Sequence, residues 1–366
     1  MNTQTDAQLW NTDRTEVRAR VIDPRSANGS GLPLCLEPSR PVAASDLVDW
    51  ASAKKDSISA AILKHGAVLL RGFPIHSAQV FESVLLALGA DLKNDYQGTS
   101  PRNAVTRYIF NASELPGYYP IPQHCEMSFL RDPPRRLFFC CLVEPQSFGG
   151  ETPLCDFRSV LRDLEPEVRS RFESRGVKVI RNYGGPEGHG RRDLWQLKPW
   201  HDIFGTTDRA RVEEKCKQVG QEFEWLADGR LRLINQTAAV RKHPQTGEPV
   251  WFNHSQVFHL SSAEGEYRRI SQRLPEYRYH ALRALAALVS SYKRWRLRDD
   301  EQAMQALYGD GSPIPDADME AVREAIWTNL VVTRWREGDA LLIDNSAVSH
   351  GRLPYHGPRK VIVGWE

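Results

Sequence analysis

Two neighbouring residues and a third one far along the sequence carry side chains that together suit a metal ion. His124 and Glu126 are two positions apart in IPQHCEMSFL, so on a β-strand their side chains would project from the same face. His350, 226 positions later in DNSAVSHGR, follows a strand-like apolar run. Two histidines and one carboxylate form the facial ligand set of non-haem Fe(II) centres. The same set also suits Zn²⁺ with an open water position, and an H-x-E pair alone is equally compatible with a surface or capping role.

Short apolar runs bounded by turn residues must position these side chains. From about residue 121 onward the runs are β-rich, which predicts strands at 137–143, 176–183, 340–344 and 360–365. Upstream, helical spacing and capping residues predict a helix over 46–65, a strand at 67–71 and a second helix over 81–88. Strands separated by helical insertions favour an antiparallel barrel or sandwich over a doubly wound sheet.

The composition excludes several classes of protein. The chain has 366 residues, of which 41% are hydrophobic, and this is enough to bury a large core. A net charge of +2 gives no strong field to attract nucleic acid or an anionic membrane. The sequence contains no run of signal-peptide type and no stretch of about 20 apolar residues, which predicts a soluble cytoplasmic protein. Six sparse cysteines are expected to be reduced core residues.

Several ordered motifs resemble those of one enzyme family. Besides the H-x-E pair they are GGETPLCD (149–156), WFN (251–253), YGDGSPI (308–314) and GDALLIDNSAVSHGR followed by GPRKVIV. Together they resemble the taurine dioxygenase (TauD/TfdA) family of Fe(II)/2-oxoglutarate enzymes, from about residue 65 to the end of the chain. The similarity is greatest to the hydroxylase branch found in natural-product pathways, of the syringomycin-pathway type.

This resemblance implies a fold and a domain organisation. We expect a mainly β protein with a double-stranded β-helix (jelly roll) core flanked by helices. Residues 1–42 are expected to form an N-terminal arm, and residues 43–366 a single oxygenase domain. Helical insertions are expected at about 207–226 and 263–309.

The resemblance also assigns roles to residues of the site. His124, Glu126 and His350 match the iron ligands of the family, although many members carry Asp where this chain has Glu126. Thr152 matches a threonine that reaches a carboxylate of 2-oxoglutarate, and it could also be an ordinary turn residue after two glycines. Arg359 matches the arginine that binds the distal carboxylate, because a planar guanidinium grips a carboxylate bidentately. Arg352 and Lys360 remain competitors for that role.

The substrate is less well defined by the sequence. Taurine dioxygenase carries a second arginine four positions after the first, and this chain has Val363 there, which argues against taurine. Arg102 is expected to bind a substrate carboxylate instead, or to be a salt-bridged loop residue, and Asn253 is a second expected substrate contact. His254 and His259 are five positions apart, so a helix or a strand cannot direct both at one ion. One of them alone could contact the substrate.

These residues predict an oxygenase that uses Fe(II), 2-oxoglutarate and O₂ and releases succinate and CO₂. We expect hydroxylation of an unactivated C–H bond in an amino acid or an amino-acid-derived small molecule, either free or presented by a carrier protein. Desaturation or cyclisation by the same iron chemistry remains an alternative. A zinc hydrolase and a non-catalytic jelly-roll binding protein are the rival hypotheses from other classes. The sequence does not indicate an oligomeric state.

Overall fold

The computed structural model describes residues 9–95, 102–146, 149–186, 193, 197–274 and 276–366. In this part of the chain, strands and helices alternate in a mixed α and β structure. None of the described helices is both long enough and apolar enough to cross a membrane. All six cysteines are buried and free of disulfides, which confirms the expectation of reduced core thiols.

The helices of the described residues are numbered in chain order. They are α1 (Ala44–His65), α2 (Ala78–Ala87), α3 (Phe157–Asp163), α4 (Pro166–Arg175), α5 (Trp200–Phe204), α6 (Arg209–Gln218), α7 (Ser255–Phe258), α8 (Ser262–Arg273), α9 (Tyr277–Arg296) and α10 (Asp316–Thr328).

The strands are numbered in the same way. They are β1 (Val17–Asp23), β2 (Leu32–Pro38), β3 (Ala67–Leu70), β4 (Phe110–Asn111), β5 (Ile121–His124), β6 (Arg136–Val143), β7 (Leu154–Asp156), β8 (Val177–Tyr183), β9 (Glu222–Trp225), β10 (Leu231–Thr237), β11 (Val240–Lys242), β12 (Pro249–Trp251), β13 (Met304–Tyr308), β14 (Leu330–Val331), β15 (Ala340–Asp344), β16 (Val348–Arg352) and β17 (Lys360–Trp365).

The first of two compact units comprises Met1–Tyr119, Pro134–Arg162 and Asn329–Glu366. Its seven-stranded sheet has the order β1-β2-β3-β15-β6-β17-β4, and β2 and β3 are a parallel pair. The apolar faces of α1 and α2 pack on this sheet in one hydrophobic core. In a second sheet β14, β7 and β16 are neighbouring strands, and β16 carries His350.

The second unit comprises Pro120–Pro133 and Asp163–Thr328. It contains the four-stranded sheet β13-β8-β10-β9 and the antiparallel pair β11 and β12. Helices α8 and α9 pack together through Tyr267, Ile270 and Tyr279. The short helix α7 begins four residues after the end of β12, so residues 253–256 lie just beyond that strand, in the connection and the first turn of the helix.

The structure refines the sequence-based boundaries. Residues expected in an N-terminal arm form β1 and β2, because Val17, Leu34 and Leu36 bury their side chains in the core of the first unit. The insertion expected at 207–226 consists of α6 and then β9, and the one expected at 263–309 consists of most of α8, all of α9 and β13. The predicted helix over 46–65 begins at Ala44 and ends at His65, and it is capped by Gly66, whose φ of 73° is left-handed.

Candidate metal and 2-oxoglutarate site

His124 is the last residue of β5, and its ring is oriented by the backbone. Its Nδ1 lies 2.8 Å from the carbonyl oxygen of Pro122. A carbonyl can only accept, so Nδ1 carries the proton and donates it, and in the neutral ring Nε2 is the nitrogen that carries the lone pair. This arrangement is the one that a metal-binding histidine needs, since a fixed second nitrogen sets the tautomer.

Glu126 lies in a turn rather than on a strand, and its carboxylate approaches the ring of His124. The strand ends at His124, and the next residue but one is already in a turn. Met127 then adopts a left-handed φ of 53°, a conformation that costs a non-glycine residue about 1–2 kcal/mol. The buried carboxylate oxygen Oε2 lies 3.9 Å from Nε2 of His124. The two side chains therefore approach each other as the H-x-E spacing predicts, although Glu126 lies in a turn and not on a strand.

His350 lies on β16, where it is paired with Leu154 of β7. The ring is buried, and its centroid lies 5.0 Å from that of Phe139. His124, Glu126 and His350 each offer one ligand atom, and these atoms lie within 4.8 Å of one another. Two imidazole nitrogens and one carboxylate oxygen match the donor set of a facial iron site.

Thr152 and Arg359 are brought together in the first unit. Nη2 of Arg359 lies 3.5 Å from the hydroxyl oxygen of Thr152, and Nε donates to the carbonyl of Gly150 at 2.7 Å. Trp335 also donates to this hydroxyl at 3.2 Å. Gly150 has a left-handed φ of 77°, and a Cβ there would lie 3.1 Å from Cδ of Arg359. Glycine thus allows the GGETP segment to approach the arginine closely.

The electrostatic environment of Arg359 favours an anion. Burial and the neighbouring Arg352 cation lower the pKa of Arg359 to about 10, because both disfavour its positive charge. Its guanidinium donates to a carbonyl and a hydroxyl rather than to a carboxylate. A carboxylate bound beside Arg359 would stabilise its positive charge and so offset the effects of burial and of Arg352.

The two competitors of Arg359 have other surroundings. Arg352 donates to the carbonyl oxygens of Leu115, Pro116 and Tyr119 at 2.7–3.0 Å, so it braces the 115–119 loop. Lys360 is exposed at the first position of β17. These contacts support Arg359 as the carboxylate-binding residue.

The two expected substrate contacts, Arg102 and Asn253, lie in different surroundings. Arg102 is half-buried, with its guanidinium carbon 5.8 Å from the centroid of the Trp365 ring. Asn253 is buried, donates to the carbonyl of Ala239 at 3.0 Å and accepts from both the amide and the hydroxyl of Ser255. These bonds shape the turn before α7. The substrate role of Asn253 stays a prediction.

Sequence reasoning missed the support that residues 254–256 give to β5. His254 shares a 2.6 Å hydrogen bond with the hydroxyl of Ser128, and its ring lies edge-on to that of His124 at 5.3 Å. Nε2 of Gln256 donates to the carbonyl of Gln123 at 2.8 Å. These residues directly follow the WFN motif, and this position was the signal in the sequence that could have identified them. His259, by contrast, bonds to Ser261 and to the carbonyl of Ile314.

Comparison with known proteins shows the family to which the chain belongs. The model of the taurine catabolism dioxygenase TauD, TfdA family matches residues 30–365. The chain belongs to this family, and with its His-Glu-His metal site it is a non-haem Fe(II)/2-oxoglutarate-dependent dioxygenase.

Two relatives and one solved structure illustrate the similarity. The chain is 30% identical over 319 residues to a clavaminate synthase-like protein of Arabidopsis thaliana, covering 84% of each. It is 30% identical over 298 residues to the dapdiamide synthesis protein DdaC of Enterobacter agglomerans, covering 81% of each. The crystal structure of PvcB from Pseudomonas aeruginosa superposes with a TM-score of 0.51 at 13% identity, covering 97% of this chain and 92% of PvcB. That likeness shows a shared fold.

Proposed function

We propose that this protein hydroxylates an unactivated C–H bond of an amino acid or an amino-acid-derived small molecule in a natural-product pathway. The observation that carries the proposal is the convergence of His124, Glu126 and His350 within 4.8 Å. These three residues would hold Fe(II), which together with 2-oxoglutarate and O₂ would supply the oxidation, with succinate and CO₂ as the co-products. The protein contributes geometry and a partly dehydrated site.

The chain's own residues hold the metal in a defined orientation. Nδ1–H of His124 is fixed on the Pro122 carbonyl, so Nε2 is the nitrogen presented to the ion. Glu126 is buried, and a buried carboxylate is stabilised by a cation beside it. His350 supplies the third ligand from β16. A ligand set with one carboxylate reduces the charge of a divalent ion and leaves positions for 2-oxoglutarate and O₂.

Arg359 and Thr152 are proposed to bind the distal carboxylate of 2-oxoglutarate. The support is their 3.5 Å contact and the lowered pKa of Arg359, whose positive charge is disfavoured by burial and by the neighbouring Arg352. A carboxylate can accept from the guanidinium and from the threonine hydroxyl at the same time. Trp335 orients that hydroxyl through its indole N–H.

The substrate class rests on sequence and on relatives. Val363 is buried and apolar where a sulfonate-binding arginine would stand, so we propose an alternative anchor, with Arg102 and Asn253 as candidate contacts. The relation to a dapdiamide synthesis protein supports a biosynthetic role. The substrate is proposed to be free or presented by a carrier protein, and desaturation or cyclisation remains the alternative outcome.

We also propose that residues 43–366 form one oxygenase domain with a double-stranded β-helix core. The family match over residues 30–365 and the shared fold with PvcB support this organisation. The match begins within the proposed arm of residues 1–42, between β1 and β2.

A substrate screen tests the proposed reaction. Purified protein with Fe(II), ascorbate and 2-oxoglutarate is incubated with free amino acids and with the same amino acids loaded on a carrier protein, and succinate and product mass are measured. The proposal expects succinate in proportion to a product heavier by one oxygen atom. A product lighter by two hydrogens would assign desaturation or cyclisation. Substrate hydrolysis without succinate would instead support a hydrolase.

A further inference from the structure

Helix α9 exposes an apolar stripe along its whole length. Its members are Tyr277 (85% exposed), Leu285 (55%), Leu288 (68%), Tyr292 (41%) and Trp295 (79%), together with the exposed Ala281 and Ala284. At about 100° per residue, all seven directions fall within about 60° of that of Leu288. The opposite side of the helix, with Tyr279 and Ala286, is buried against α8.

A stripe of this shape matches the contact face of a second helix. An apolar stripe about 100° wide is what a helix normally buries against a neighbour, and soluble monomers seldom expose apolar patches so large. A helix of 20 residues is about 30 Å long. A tyrosine or tryptophan can bury about 150–250 Å², so three aromatic residues and two leucines approach the ~800 Å² per partner of a standard interface.

The charges on α9 favour a partner that is not strongly acidic. The helix carries five Arg or Lys residues and no acidic residue, but three of the five are neutralised within the chain. Arg278 pairs with Glu276 at 2.9 Å, Lys293 with Asp193 at 2.6 Å and Arg294 with Asp316 at 2.6 Å. Among the described residues this leaves Arg283 and Arg296 without a carboxylate partner. By helical spacing Arg283 points about 140° away from Leu288, outside the stripe.

The stripe is also complementary to itself. If two copies of α9 pack antiparallel about a two-fold axis at the level of residue 286, Tyr277 of one copy lies level with Trp295 of the other. In the same register Ala284 lies level with Leu288, so a small residue meets a large one. Isologous contact of this kind is the commonest route to a closed dimer.

We propose that the α9 stripe is the interface of a homodimer in which two copies of this helix pack antiparallel. Its occupant is a second copy of this chain. The proposal is independent of the substrate and of the metal site.

Sedimentation velocity of the full chain at several concentrations tests this proposal. The wild type should sediment as a dimer. Leu288→Glu should raise the dimer dissociation constant about thirtyfold or more, as expected for a central interface residue, with an unchanged circular dichroism spectrum. Trp295→Glu, in the last turn of the helix, should act in the same direction if Leu288→Glu does not fold. The matched control Leu86→Glu, at a half-exposed leucine of α2, should remain dimeric.

A monomeric wild type, or a Leu288→Glu protein that stays dimeric, would overturn the proposal. Binding of a monomeric wild type to vesicles containing phosphatidylserine, lost in Leu288→Glu, would assign the stripe to a membrane surface and overturn it equally.

Discussion

At the residue scale, Glu126 is the ligand whose side chain can be shortened without changing its chemistry. Glu126→Asp keeps a carboxylate and changes only its reach, so it should retain partial iron binding. Glu126→Ala removes one of three facial ligands and should lower iron affinity by more than the 10–100-fold typical of losses outside the ligand set. Equilibrium dialysis against Fe(II) without oxygen measures both. An Ala variant that binds iron as tightly as the wild type would remove Glu126 from the site.

Arg359 offers a second single-residue prediction. Arg359→Lys replaces a planar fork by a point charge, so 2-oxoglutarate should bind about tenfold to a hundredfold more weakly, equivalent to a loss of roughly 1.5–3 kcal/mol. Iron affinity should change less. Titration calorimetry with 2-oxoglutarate checks this, with Arg352→Lys as the matched comparison. An unchanged titration for the first variant and a shifted one for the second would transfer the role to Arg352.

At the element scale, the segment that precedes and opens α7 supports the metal-binding strand. Gln256 donates to the carbonyl of Gln123, the residue before His124. Gln256→Glu keeps the size but places a carboxylate against that carbonyl, so β5 should shift and iron affinity should fall about 10–100-fold. Gln218→Glu, the same change at an exposed position of α6, is the control. Equal iron affinities in the two variants would show that Gln256 does not position His124.

The sequence predicted elements well where local signals were strong. The helix ended by Gly66 and the apolar strands β6, β15 and β17 agree with the periodicity because burial and capping act locally. The sequence analysis missed β1 and β2. In β1 a single residue, Val17, is buried, and β2 is mostly buried but contains Pro33 and Pro38, a residue type that argues against a strand. Spacing identified His124 and Glu126, but the contact of Arg359 with Thr152 joins segments 207 residues apart and needed the fold.

At the scale of the whole molecule, one buried histidine predicts how stability depends on pH. Burial lowers the pKa of His259 to about 4, whereas an unfolded histidine titrates near 6.5. The unfolded state therefore takes up the proton first. The contribution of His259 is complete above about pH 6.5 and is lost as the pH falls towards 4, with a loss of about 3 kcal/mol.

Urea unfolding of the metal-free protein at several pH values measures this effect. The free energy of unfolding of the wild type should fall by about 3 kcal/mol more than that of His259→Gln between pH 7 and 4. His280→Gln, at an exposed position, should follow the wild type. Parallel pH profiles for wild type and His259→Gln would show that His259 is charged in the folded protein.

The His124, Glu126 and His350 centre is expected to use iron to couple the conversion of 2-oxoglutarate into succinate to oxidation of the substrate. The most direct measurement is succinate formed from 2-oxoglutarate under air by metal-free protein reloaded with either Fe(II) or Zn²⁺, in the wild type and in His350→Ala. We predict that the wild type forms succinate with Fe(II) and not with Zn²⁺, and that His350→Ala loses this activity. Undiminished succinate formation in His350→Ala, or no succinate from iron-loaded wild type in the presence of the screened substrates, would contradict the account.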